Sequence, residues 1–301
     1  MERKLVEQGK KTLMVSIPAK WAKSHKLTKG STVSLEATSD RIILLPKVEH
    51  SKKELKIKLN TQSESAIRTL ITNAYRSGFD KVIVEFDDSK QFEMLDEIIK
   101  TRLIGFDILK KEKNRCIIEN VTEPTGEYFE NILSKIFLNI ISLFKSVQEE
   151  GNEKDIGAIE ERIQKYDNLC RRMISKKNVN EEHKERYWSF LTLLIHAQRE
   201  IFFLSKNNDK EKMSKNEKEM ISEAEEMFEL IEKAYKEKRI DLLEKLHDKE
   251  KNLIYKKGYE MLKKSKGKES IRIYHILSAI RQCYQANSPL CGIILGRQNL
   301  Q

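Results

Sequence analysis

Helix and strand breakers are scarce in this chain, with only 4 prolines and 11 glycines among 301 residues. Most of them fall in the first half and at the extreme C-terminus. The remainder, rich in Glu, Lys and Leu, is therefore expected to form long helices. No run approaches the ~18 consecutive apolar residues of a membrane span, so no membrane insertion is expected. The opening Met-Glu-Arg-Lys lacks the apolar stretch of a secretory signal, and a cytoplasmic location follows as the expectation. Cysteine is equally sparse. Cys116, Cys170, Cys283 and Cys291 have no CxxC spacing. That argues against a zinc site or a disulfide framework, and for small buried apolar side chains in a reducing compartment. The six histidines show no HExxH or other metal spacing. His196, beside an apolar seam, is expected as a hydrogen-bonded core residue. Glycine-rich phosphate loops, nucleophile elbows and kinase signatures are missing. Adjacent carboxylates such as Glu160/Glu161 and Glu225/Glu226 read as solvated helix faces. The expectation is a protein that is not an enzyme and needs no cofactor.

Charge is what the chain has in abundance. Charged residues make up 35% of it and apolar residues 39%, enough to build cores and too many for wholesale disorder. The formal net charge is +10. Nucleic acid is the commonest partner of such an excess, ahead of an anionic membrane surface, an acidic protein or a merely lysine-rich solvated exterior. At this length two or three domains are expected.

Along the chain, residues 4–7 and 13–17 read as short strands joined by a connection that contains Gly9. Pro18 then opens a single short helix over 19–24, since its missing N–H is not needed in the first turn. Strands follow at 32–37 and 41–45. Four tiny strands and one helical turn bury too little surface to fold alone, so this unit should require a second copy of itself. Residues 47–53 form a polar linker. The next segment, 54–122, alternates βαβαββ, with a capping box at Thr61-Gln-Ser-Glu64 and a second cap at Asp88-Ser-Lys-Gln91. It implies a small α/β domain with helices on one face of a sheet. From 126 to 301 every strong signal is helical. Phe129, Leu133, Ile136, Ile140, Leu143 and Val147 form one stripe. Tyr187, Leu191, Leu194, Ala197, Ile201 and Leu204 form another, and Met220, Ala224, Met227, Ile231 and Ala234 a third. A faint internal repeat relates residues 163–167 to 244–248 and 196–199 to 278–281, so this region is expected to be two three-helix bundles.

The opening motif, Arg3-Lys4-Leu5-Val6-x-x-Gly9 … Met14-Val15-Ser16-Ile17-Pro18-x-Lys20-Trp21 … Leu27-x-x-Gly30-x-x-Val33, resembles the AbrB-type swapped-hairpin DNA-binding domain. The resemblance covers residues 1–48. It implies a small β-rich barrel built from the interleaved hairpins of two chains, and therefore a homodimer. The helical half resembles PhoU, the phosphate-uptake regulator, whose fold is two three-helix repeats. The whole is similar to archaeal PhoU-like regulators: AbrB-like module, α/β spacer, all-α sensor domain. PhoU proteins often bind metal clusters through carboxylates in an acid-x-x-x-Asp pattern, which Glu244 and Asp248 match as weak candidates. Ile163 replaces the acid before Asp167. Gln198-Arg199 and Ile280-Arg281 stand where Glu-Arg is expected, with Phe202 and Tyr284 in place of Asp. The helical region is therefore expected to fold without metal.

The candidate DNA-binding residues are Arg3, Lys4, Lys10, Lys11, Lys20 and Lys23, with Lys26 and Lys29 nearby. Cations on a rigid scaffold neutralise phosphates and release counterions. Edge-strand lysines that merely discourage aggregation are the bland alternative. A second basic block, Lys251 to Lys268, is expected to be a solvated helix end. Trp21 and Trp188 are expected as packing anchors. The functional expectation is a DNA-binding transcriptional regulator of phosphate uptake or phosphate response. The alternative is a protein-interaction adaptor that does not bind DNA and restrains a phosphate transporter ATPase or a sensor kinase. Expected partners are DNA, a second copy of the chain, and a phosphate transporter component or another regulator.

Overall fold

The computed structural model describes residues 3–9, 12–37, 42–46, 52–122, 128–176, 184–206 and 212–298. They divide into two compact units, Met1–Lys52 and Lys53–Gln301. The first is β-rich. Strands β1 (Val6–Gln8) and β2 (Thr12–Met14) pair antiparallel, helix α1 spans Ala19–Ser24, and β3 (Val33–Ala37) pairs antiparallel with β4 (Ile42–Pro46).

The second unit opens on the expected βαβαββ order. Strand β5 (Glu54–Lys58) runs parallel to β6 (Lys81–Glu85) through the crossover helix α2 (Glu64–Arg76). Helix α3 (Ser89–Arg102) leads to the antiparallel pair β7 (Phe106–Lys111) and β8 (Arg115–Asn120). The sheet order is β5-β6-β8-β7, which places Lys-Val-Ile-Val-Glu of β6 inside. Val82 and Val84 lie fully buried there, as a central strand requires. Helix starts follow local chemistry, with one correction. Asp88 caps α3 by accepting from the Gln91 N–H at 2.9 Å. The box expected at Thr61–Glu64 does not form, because the residue that precedes the helix is Ser63, two positions later than Thr61, and the Thr61 hydroxyl accepts the Ser63 N–H instead. Gly78, at φ +76, supplies the left-handed residue that ends α2.

All three apolar stripes are buried. They lie on α4 (Phe129–Gln148), α6 (Lys184–Lys206) and α7 (Lys215–Glu237), around the ring cluster Phe137, Phe190, Phe228 and Tyr235. Helix α5 (Glu153–Ser175) packs between α4 and α6. Helix α10 (Lys268–Gln285) packs on α6 and α7, and α11 (Asn287–Gln298) closes on α6. The related segments 163–167 and 244–248 fall on α5 and α8 (Asp241–Glu250), and 196–199 and 278–281 on α6 and α10. The two middle helices differ. After α8 the helix widens into a π segment, Lys251–Gly258, before α9 (Tyr259–Lys264). Gly258 lies against α10: a Cβ there would sit 2.3 Å from Leu277 Cδ2 and 2.7 Å from Leu253 O.

One polar seam joins the helices to the α/β layer, so segments 54–122 and 126–301 pack as a single unit. Helix α5 turns Glu160, Asp167, Asn168, Arg171 and Arg172 inward, all buried. Arg76 of α2 donates to Asp167 at 3.0 Å and to Asn168 at 2.7 Å, and Arg102 of α3 donates to Glu160 at 3.0 Å. Glu160 is thus no solvated helix face, and neither is Glu225, which is buried and accepts from Gln148 at 2.8 Å. His196 is corrected the other way. It is exposed, because it falls one position off the α6 stripe at Ala197. Trp188 is half-buried under the Arg171 guanidinium, 4.8 Å from the ring centre.

Candidate nucleic-acid interface

Among the described residues of 1–52 no side chain is buried: each is exposed or half-exposed. In β1 and β2 the register sets Val6 opposite Met14 and Glu7 opposite Leu13. Successive residues of a strand point to opposite faces, so this ribbon carries apolar side chains on both sides, Val6 and Met14 on one and Leu13, beside Glu7, on the other. Val6, Leu13 and Val15 are more than half exposed, as are Leu5, Leu35 and Ile42. Fully burying one such side chain contributes about 1.5–3 kcal/mol. A single copy leaves that stabilisation unused on both hairpins.

The cations sit around this apolar framework. Arg3 and Lys4 lead into β1 and are exposed. Gly9, at φ +71, turns the chain out of β1. Lys10 and Lys11, expected in that connection, lie outside the described residues. Helix α1 begins at Pro18 as its sequence dictates, with the Ala22 N–H donating to Pro18 O at 3.0 Å. Lys20 and Lys23 are three apart and share one exposed side of this helix, and Lys23 lies in its last turn, where positive charge complements the helix dipole. Trp21 is half-buried. Its ring lies 4.5 Å from that of His25, whose Nδ1 is 2.9 Å from Trp21 O. Arg3, Lys4, Lys20 and Lys23 have no ion-pair partner among the described residues. Four such cations can meet phosphates without first breaking a salt bridge.

The weak metal candidates are elsewhere. Glu244 and Asp248 share a face of α8 and are both exposed. Glu244 borders a cleft of about 910 Å³ with His247, Tyr284 and Cys291. His247 Nδ1 lies 3.1 Å from the Tyr284 hydroxyl. Among the described residues no three His, Cys, Asp or Glu side chains converge to hold an ion. The second basic block is a solvated surface, as expected: Lys251, Lys256, Lys257, Lys263, Lys264, Lys266 and Lys268 are all exposed. Sequence reasoning passed over Arg76, Arg102 and Arg199, which line a cleft with Glu160. Three arginines spread over 124 positions carry no local motif, and only the packing of α2, α3 and α6 assembles them.

No helix among the described residues is long and apolar enough to cross a membrane. No curated protein and no solved structure matches the chain. Residues 7–52 match the family described as antidote-toxin recognition MazE, bacterial antitoxin. That span coincides with the two hairpins and α1. Residues 7–52 are therefore a MazE/AbrB-type domain, a class that dimerises and binds DNA, followed by a mostly helical region.

Proposed function

We propose that this chain is a DNA-binding transcriptional regulator, not an enzyme, acting in the cytoplasm as a homodimer through residues 1–48. The observation that carries the reading is the first unit itself. Among its described residues no side chain is buried, the apolar side chains of the hairpins lie open, and Arg3, Lys4, Lys20 and Lys23 have no ion-pair partner, in a unit whose residues 7–52 match an antitoxin-type domain. A second copy covers the apolar faces, completing a swapped-hairpin barrel, and doubles the basic surface. The helical unit is the sensor, and the process controlled is the phosphate response. What supports that finer reading is the duplicated three-helix order of α4–α6 and α7–α10, the arrangement on which the PhoU resemblance rests. A signal that favours one arrangement of the helices shifts how the paired modules are presented.

The test is a salt titration of DNA binding by fluorescence anisotropy on the full chain. If the dimer neutralises about six phosphates, log K against log salt has a slope near −5. The variant Lys20→Ala/Lys23→Ala shallows the slope by up to about four units per dimer, at about one unit per lost contact, and weakens binding across sequences. The variant Lys263→Ala/Lys264→Ala leaves it unchanged. A dimer that fails to bind DNA at about 0.15 M salt would overturn the reading and favour the adaptor role.

A further inference from the structure

A cleft of about 580 Å³ opens between the α/β layer and the helices. Its walls come from α2, α3, α5 and α6, and four guanidinia line it: Arg68 and Arg76 from α2, Arg102 from α3 and Arg199 from α6. Three of them have acids. Arg68 pairs with Glu64 at 3.0 Å, Arg76 with Asp167 at 3.0 Å and Arg102 with Glu160 at 3.0 Å. Each pair engages only part of a guanidinium, which carries five donors. Arg199 pairs with no acid among the described residues.

The floor adds a second, independent observation. Gln164 of α5 lines the cleft at 4% exposure, and its Nε2 is buried without a hydrogen-bond partner among the described residues. A buried amide donor left unsatisfied costs about 1–3 kcal/mol, so an acceptor brought to it is favoured. The surroundings of Arg76 point the same way. Burial, chiefly, and then the charges of Arg171 and Arg199 work against its protonated form and outweigh Asp167, so its pKa lies below the ordinary arginine value. The cleft is therefore short of negative charge and of acceptors.

We propose that this cleft binds a small phosphoryl-bearing anion. Guanidinium forks match phosphate oxygens in paired hydrogen bonds, which suits a site offering spare N–H groups from three separate helices. The engaged Glu160 leaves the centre free of an unpaired carboxylate, since Arg102 holds it. A volume of 580 Å³ lies in the range of metabolite sites and exceeds what one phosphate ion fills. At the rim Phe202 is half-buried and Phe203 exposed, giving an apolar wall for the organic part of a phosphate ester. Such a ligand would tie α2 to α6, and with them the α/β layer to the helices. The site deepens the phosphate-response reading but does not depend on DNA binding.

The test is isothermal titration calorimetry of the full chain with inorganic phosphate, AMP and succinate. Saturable binding of phosphate or AMP is expected, weakened at least about tenfold by Arg199→Ala and by Gln164→Leu, and unchanged by Lys263→Ala/Lys264→Ala. Arg199→Ala removes an exposed side chain without an ion pair, and an unaltered melting temperature confirms that it folds. Tighter phosphate identifies the free ion as the ligand, and tighter AMP an organic phosphate seated on Phe202. The proposal is overturned if neither probe saturates by about 10 mM, if succinate binds equally well, or if Arg199→Ala retains full affinity. Because no DNA is present, a negative result here leaves the anisotropy result standing, and the reverse holds too.

Discussion

Arg172 of α5 donates from Nη2 to Asp80 Oδ1 at 3.0 Å, across the seam between the helices and the turn that precedes β6. Its Nη1 donates to the carbonyls of Tyr75 and Phe79, and its guanidinium lies 5.0 Å from the Tyr75 ring centre. One fully buried side chain thus ties together the end of α2, the loop after it and α5. Replacing it with Ala removes the side-chain donor to the Phe79 and Tyr75 carbonyls and leaves Asp80 to Lys176 and the Lys53 N–H. Losing a hydrogen bond to a charged group of this kind costs about 1.5–3 kcal/mol. Urea unfolding of Arg172→Ala should show that loss as a lowered midpoint with little change in slope. A midpoint within experimental error of the wild type would mean that the seam contributes no stability.

Asp80 gives the same seam a pH signature. Burial opposes its charge, but hydrogen bonds from Lys176 at 2.5 Å and from the Lys53 N–H at 3.0 Å, together with Arg172, outweigh burial and hold its carboxyl below the usual value. A carboxyl with a depressed folded pKa contributes stability that is present above its unfolded pKa of about 3.9 and is lost as pH falls through the folded value. The wild type should therefore melt above Asp80→Asn at pH 6, and the gap should close below about pH 4. A gap independent of pH would assign the effect to packing.

Burial also governs the thiols. It pushes Cys116 up to about 11 and Cys283 up to about 12, and it raises Cys170 well above the ordinary range. Only Cys291 is half-exposed. A thiol reagent at pH 8 should label Cys291 alone in the folded protein and all four cysteines in denaturant. Rapid native labelling of Cys170 or Cys283 would show that the helical core opens locally, and of Cys116 that the sheet does.

How much of this was legible in the sequence depended on whether the signal was local. The stripe on α6 from Tyr187 to Leu204, the cap at Asp88 and the β6 core are written in residues a few positions apart, and all are present in the structure. The first unit was legible for a different reason. Its motif is specific, and the same shortage of apolar positions that called for a second copy leaves no buried side chain among its described residues. The seam was not legible. Glu160 and Asp167 lie on a helix face that looks solvated until α2 and α3 cover it with Arg76 and Arg102, and no periodicity records that tertiary event. The cleft containing Arg199 shares that origin.

Gln198 puts the difference between pattern and packing to a direct test. It stands on α6 where the PhoU resemblance would place an acid, yet it is fully buried, and neither its Nε2 nor its Oε1 has a hydrogen-bond partner among the described residues. An unsatisfied buried amide costs about 1–3 kcal/mol, whereas an apolar side chain of similar length fills the same space without that penalty. Gln198→Met should therefore stabilise the protein by about 1 kcal/mol in urea unfolding. Gln198→Glu, which restores the acid, buries a charge with nothing to meet it and should destabilise by several kcal/mol at pH 7, less at pH 5 where the carboxyl can take up a proton. If Gln198→Met instead costs about 1 kcal/mol or more, the amide is satisfied in solution and the position is a polar one. If Gln198→Glu is tolerated at pH 7, the surroundings of α6 retain the means to hold an acid there.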